Sequence, residues 1–180
     1  MGNLCTKTTA TAATTATTAA ATTVTLENRL MEATNEIPYW SFKNQTLIGK
    51  VVNVYDGDTC TVVVLFKSEL MKFRMRMAGY DSPELRNTSV PNYKNTNEYT
   101  KACNAKQALI DLVLNKQVTI ESTGWDKYGR LLGNMFVTNK QTNSRIHVNQ
   151  WMIQHGHGYI YDGGKKKDVN PEDLQQLEND

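Results

Sequence analysis

A mainly β, α+β fold is predicted by three observations on this chain. Two runs rich in β-branched and apolar residues, Thr46 to Val54 and Thr59 to Phe66, flank an Asp-Gly turn. A third run alternates strictly: Met71, Phe73, Met75 and Met77 fall on one face and Lys72, Arg74 and Arg76 on the other, the period-two pattern of a half-buried strand. Farther on, Ala102, Ala105, Leu109, Leu112 and Val113 recur at helical spacing, so an amphipathic helix is expected to pack on the strands.

The chain has 180 residues, 39% hydrophobic and 21% charged, which suits one domain plus extensions. No apolar run approaches the roughly 18 residues of a membrane span, and the first residues lack the apolar core of a secretory signal. The expectation is a protein on the cytoplasmic side. Cys5, Cys60 and Cys103 are an odd number at unrelated spacings, which argues against a disulfide framework and for buried free thiols at Cys60 and Cys103. The formal charge is only +2, but the last stretch, Asp168 to Asp180, holds five acids and no Lys or Arg. The rest of the chain therefore carries five more positive charges than the total shows, which favours a nucleic-acid partner.

In chain order, Met1 to Thr6 (MGNLCT) fits the pattern for myristoylation at Gly2, with Cys5 placed for a second acyl chain. Two chains would anchor a protein stably at a membrane where one would not. Thr8 to Thr23 is built only of Thr and Ala and cannot offset the entropy of ordering, so it reads as a linker, either for an anchored domain or as a plain leader. A short helix is expected between Leu26 and Ile37, ended by Pro38.

Folding Thr59 to Phe66 against Met71 to Met77 about a turn near Lys67 to Leu70 pairs residues whose numbers sum to roughly 136. Asp58 then lies opposite Met77 and Ala78, and Asp58 and Asp81 emerge at the same end of the hairpin. Two carboxylates held close with no lysine between them raise each other's pKa unless a cation neutralises them. A hard divalent ion, which takes carboxylate, carbonyl and water oxygens, is the simplest remedy. Taken singly, Asp56, Asp58 and Asp81 read as turn residues beside Gly or Pro.

Asn87 to Asn97 is polar with one Pro and reads as a surface loop; Asn95 and Glu98 form a capping pair for the helix that follows. Gln117 to Thr123 and Leu131 to Thr138 read as strands around a turn at Gly124 to Gly129, which places Arg130 at the start of the return strand. Trp125 reads as a cover for one end of the strands, and Tyr128 as a stacking or phosphate-bonding group. A second helix is expected from Ile146 to His155, with Val148, Trp151 and Met152 inward and Gly156 as its stop. His155 and His157 read as solvated or capping groups. Beyond the basic run Lys165 to Lys167, Asn170-Pro171 starts a short helix containing Leu174 and Leu177.

Taken together, Asp56-Gly57-Asp58-Thr59, the strand Phe73 to Met77 with Arg76, Asp81-Ser82-Pro83-Glu84, and Asp126-Lys127-Tyr128-Gly129-Arg130 resemble, in order and spacing, the staphylococcal nuclease (thermonuclease) family. The similarity runs from about Thr46 to Tyr161. It implies an OB-fold five-stranded β-barrel with about three helices over residues 46–180, preceded by the arm of residues 1–45. It implies Ca²⁺-dependent hydrolysis of DNA and RNA, with Ca²⁺ ahead of Mg²⁺, by a monomer. Asp58, Asp81 and the backbone oxygen of Ser82 resemble the metal ligands, Ser82 standing where the family usually has Thr, and Asp56 resembles a residue near the metal. Arg76 and Arg130 resemble the phosphate-binding arginines and Glu84 the catalytic glutamate. Tyr159 and Tyr161 resemble the family's paired tyrosines at the nucleotide. Lys94 and Lys127, with Tyr128, are the remaining substrate-contact candidates. The same fold also serves as a non-catalytic nucleic-acid or protein-binding module, the alternative reading; its members typically lose part of the catalytic set, and here Asp58, Arg76, Asp81, Glu84 and Arg130 are all present.

Overall fold

The computed structural model describes residues 26–138 and 143–161. Gly2, Cys5, the Thr/Ala stretch, the basic run and the helix expected after Asn170 lie outside the described residues. Two compact units divide after Trp40. In the first, helix α1 covers residues 26–31 among those described and stops before the expected end near Ile37. The reason is local: the Thr34 hydroxyl accepts the Glu36 N–H and the Thr34 carbonyl accepts the Ile37 N–H, a turn that competes with helix.

The second unit is built on strands β1 (Thr46–Val54), β2 (Thr59–Phe66), β3 (Glu69–Met77) and β4 (Tyr80–Asp81). After a 3₁₀ turn at Tyr93–Asn95 come helix α2 (Asn97–Val113), strands β5 (Gln117–Trp125), β6 (Leu131–Thr138) and β7 (Arg145–His147), helix α3 (Val148–Gln154) and strand β8 (Tyr159–Ile160). Strand order is β3-β2-β1-β5-β6, and a parallel pairing of Met75–Met77 with Leu131–Gly133 joins β3 to β6. That pairing closes a five-stranded barrel and leaves none of its strands as an open edge. Strand β7 extends the sheet beyond β6, and β4 pairs with β8 in a separate ribbon.

The β2–β3 hairpin turns on Lys67 and Ser68, both with positive φ, as a two-residue turn requires. It pairs Thr59 with Arg76 and brings the Met77 N–H to the Asp58 carbonyl at 2.8 Å. Inside the barrel lie Val51, Cys60, Val62, Val64, Met75, Met77, Ile120, Leu131 and Met135, all essentially inaccessible. The Met/Phe face of β3 is buried only in part. Met71 is 39% exposed because the hairpin tip runs past the end of the barrel. Phe42, Phe66, Phe73 and Trp125 form an aromatic cluster with centroids 5.0 to 5.7 Å apart. Trp125 thus packs among core aromatics. Helix α2 covers another side with Ala102, Ala105, Leu109 and Val113.

Further boundaries differ from expectation: β3 begins at Glu69 rather than Met71, and β5 runs through Gly124 to Trp125 rather than ending at Thr123. Thr96, not Asn95, caps α2, since its hydroxyl accepts the Tyr99 N–H while Asn95 is held in the 3₁₀ turn. Ile146 belongs to β7, pairing with Val137, so α3 runs only from Val148 to Gln154, with His155 as its C-cap and Gly156, whose φ is +70°, just beyond. Val148 and Met152 are buried and Trp151 is half-buried against the core as expected, and Asn149 is buried as well.

Candidate active site

The site grows from the end of the β2–β3 hairpin. The loop from Asp56 to Thr59 is tight: the N–H groups of Tyr55 and Asp56 both reach the Thr59 carbonyl, and the Asp58 N–H reaches Asp56 Oδ1 at 3.2 Å. Gly57 sits under α2 and the β4 loop. A Cβ there would lie 2.7 Å from the Ser82 Cβ and 2.8 Å from the Ala105 Cβ. The buried Tyr80 hydroxyl donates to the Gly57 carbonyl at 2.7 Å, tying this loop to β4. Asp58 is 6% exposed. Its Oδ1 accepts the Thr59 hydroxyl and its Oδ2 accepts the Ser82 N–H, both at 2.8 Å.

Asp58 and Asp81 emerge together, but a cation already stands between them. Arg76 places Nη1 at 3.1 Å from Asp58 Oδ2 and Nη2 at 2.5 Å from Asp81 Oδ1, and Nη1 also donates to the Met77 carbonyl. No lysine stands between the two carboxylates, but the Arg76 guanidinium does. The guanidinium comes from the neighbouring strand, opposite Thr59. The negative charge remains in surplus. Burial, and then the charge of Asp58, lift the Asp56 carboxyl to about 6.

Strand β4 places Asp81 opposite Tyr159 of β8, whose hydroxyl donates to Asp81 Oδ2 at 3.0 Å. Ser82 is buried behind. Glu84 is exposed, and the Tyr93 hydroxyl holds its backbone carbonyl at 2.6 Å. Across the opening, the turn between β5 and β6 presents Arg130. Asp126 organises it: Oδ1 accepts the N–H groups of Tyr128 and Arg130, and Oδ2 accepts Arg130 Nε at 2.6 Å. Burial alone would raise the Asp126 carboxyl, but these bonds from Arg130 and Tyr128 outweigh it and hold the group below its ordinary 3.8. The Tyr128 ring is 71% exposed and lies 5.3 Å from the Arg130 guanidinium and 5.0 Å from Lys127 Nζ.

These parts surround a cleft of about 680 Å³ that is lined by Arg76, Asp81, Glu84, Asp126, Lys127, Tyr128, Arg130 and Tyr161, among others. Asp58, Asp56 and Ser82 do not line it; Asp58 and Ser82 are buried beside it. Tyr159 reaches it through Asp81. Lys94 lies in the 3₁₀ turn and is not part of the lining. A second groove of about 660 Å³, between the end of α2 and strands β5 to β7, holds none of the candidates.

Asp126 and Asn149 are the positioning residues that sequence reasoning missed. Asp126 had a visible signal, an acid four residues before an arginine across a glycine turn. Asn149 had none. Its Nδ2 donates to the Ala78 carbonyl at 2.8 Å and also reaches Gly133 O and Asn134 Oδ1, while its Oδ1 accepts the Met135 N–H. It pins α3 to the cleft floor. His155 caps α3 and stacks on Trp151 at 3.9 Å. Cys60 is buried, and burial pushes its thiol up to about 12; Cys103 is half-buried.

Among the described residues no three His, Cys, Asp or Glu side chains converge as a metal cluster. The donor set nevertheless fits a hard divalent cation. It is made of oxygen, and two carboxylates outnumber the one guanidinium between them.

Residues 74–180 match the model of the family described as staphylococcal nuclease homologue. An uncharacterized protein of Methanocaldococcus jannaschii is 32% identical over 146 residues, covering 68% of this chain and 67% of its own. An uncharacterized endonuclease of Escherichia coli O157:H7 is 28% identical, covering 68% and 67%. A micrococcal nuclease of Shigella flexneri is 27% identical, covering 69% and 62%. The chain thus spans 62% to 67% of the length of these relatives.

Proposed function

This chain belongs to the staphylococcal nuclease homologue family, and from that premise we propose that it is a metal-dependent nuclease that hydrolyses DNA and RNA with little sequence preference. The observation that carries this reading is the cleft in which Arg76, Asp81, Glu84 and Arg130 face one space from three separate parts of the chain. Phosphodiester hydrolysis loads negative charge onto the phosphoryl oxygens, so guanidinium groups there bind the transition state better than the ground state. Arg130, braced by Asp126, presents a planar fork suited to two phosphate oxygens. Arg76 contributes positive charge at a position its two carboxylates hold firm. Glu84, exposed on the wall, holds a water and accepts its proton. The Tyr161 and Tyr128 rings offer stacking surfaces rather than base-edge donors, in keeping with low sequence preference.

Asp58, Asp81 and the Ser82 carbonyl would hold the cation, Ca²⁺ in the first instance, which when bound adds positive charge at the phosphoryl group. Family precedent gives 3′-phosphate and 5′-hydroxyl ends. The test is digestion of single-stranded DNA and RNA by the purified protein in Ca²⁺, Mg²⁺ or EDTA. Cleavage in Ca²⁺ that stops in EDTA supports the reading. Tight binding with no cleavage in any metal would replace the enzyme with a binding module.

A further inference from the structure

The outer face of the β1–β2–β3 sheet carries a second concentration of positive charge that the cleft does not use. On β3 alternate side chains leave the core, so Lys72 and Arg74 share the outward face with Arg76, while Phe73 and Met75 between them are half-buried and buried. Arg74 lies opposite Thr61, Lys72 opposite Val63, and Val63 opposite Lys50 on β1. Residues directly opposite in antiparallel strands project to the same side. Lys50, Lys72 and Arg74 therefore stand on one surface, all exposed. The other outward positions of these three strands hold no Asp or Glu, and among the described residues none of the three cations has an ion-pair partner.

The charges form a line. Alternate strand residues are about 6.8 Å apart, so Arg76, Arg74 and Lys72 run roughly 14 Å outward from the cleft wall. Beside the line, the Arg74 guanidinium sits 5.0 Å over the ring of Tyr55, which is 57% exposed.

We propose that this face is a track for the nucleic-acid strand held in the cleft. Lys50, Lys72 and Arg74 meet phosphates beyond the one being cleaved, and Tyr55 stacks a base. The proposal rests on the nuclease reading of the cleft. Charge complementarity selects a polyanion, and continuity with Arg76 selects the strand in the cleft over an anionic lipid surface.

Binding is measured by fluorescence anisotropy on the full chain in EDTA, so that cleavage does not intervene. The probes are a thymidine dinucleotide and a single strand of about 16 nucleotides, the upper footprint of one such barrel, over about 50 to 200 mM salt. In K72A/R74A the gain in affinity from dinucleotide to long strand shrinks by about tenfold, and the slope of log affinity against log salt falls by about 1.4, the loss of two single-strand phosphate contacts. Y55S weakens the long strand with no change in slope. K101A, on the exposed face of α2, behaves as wild type. Unchanged long-strand affinity and slope in K72A/R74A would overturn the track. So would a K72A/R74A defect confined to phosphatidylserine vesicles, which reassigns the face to lipid. Because binding is read without cleavage, an inactive wild-type protein sinks only the nuclease reading, and a long-strand defect in K72A/R74A still supports the track.

Discussion

The Arg76 guanidinium bridges Asp58 and Asp81, 3.1 Å from one carboxylate and 2.5 Å from the other, with side chains that are 11%, 8% and 14% exposed. Removing it leaves two largely buried carboxylates facing each other with no side-chain cation between them. Arg76→Ala is expected to lose about 3 kcal/mol or more of stability in urea titrations performed in EDTA. Millimolar Ca²⁺ should restore more stability to the variant than to wild type, because the cation then takes over the neutralisation. A variant as stable as wild type in EDTA would show that the bridge is not structural.

Glu84 is the exposed carboxylate of the cleft, with its backbone held by Tyr93. Glu84→Gln keeps shape and removes the proton acceptor. Turnover on single-stranded DNA should fall by about 10² to 10⁴, while the Kd for the same strand in EDTA stays within about twofold, since little binding depends on it. Loss of binding in proportion to turnover would make Glu84 a binding residue instead.

Asp126 holds Arg130 through its Nε and backbone N–H. Asp126→Asn should reduce kcat/KM by about tenfold, the effect of a loosened phosphate-binding group. It should also alter acid unfolding. The folded-state pKa of Asp126 lies below its ordinary 3.8, so its stabilising contribution is fully present above about that pH and disappears as pH falls through the folded value. The stability gap between wild type and variant should therefore be constant near neutrality and close at acid pH. A gap that widened on acidification would contradict the assignment.

Asn149 makes four hydrogen bonds in a buried setting. Asn149→Leu strands the Met135 N–H and the Ala78 carbonyl, at about 1 to 3 kcal/mol for each unsatisfied group. Chemical denaturation should show a loss of that size. Hydrogen exchange should quicken at Met135, whose amide loses its acceptor; unchanged exchange there would argue against the pin.

Much of this fold is legible in the chain because its cues are local. Strands β1, β2 and β6 run as the β-branched content and turn residues indicate, and β3 differs only by two residues at its start. The hairpin register is close but not exact: the turn is the two residues Lys67 and Ser68 rather than Lys67 to Leu70, so paired numbers sum to 135, as for Thr59 and Arg76, and not to 136. The short cues fared less well, since Asn95, Thr96 and Glu98 offer overlapping capping options, and only the 3₁₀ turn at Tyr93–Asn95 decides among them. Ile146 to His155 has one apolar pattern that serves both a short strand and a helix; pairing of Ile146 with Val137 splits it.

The sequence by itself determined the five barrel strands, the α2 face and the chemical inventory of the cleft, because periodicity and residue type are properties of neighbours in the chain; the short strands β4, β7 and β8 were not legible. Tertiary structure alone decided how that inventory is wired. That Arg76 lies between the two carboxylates, that Tyr159 reaches Asp81 and that Asn149 supports the cleft floor all depend on contacts across strands or across the barrel. Such contacts are set by barrel closure between β3 and β6 and by side-chain direction, which no local pattern encodes.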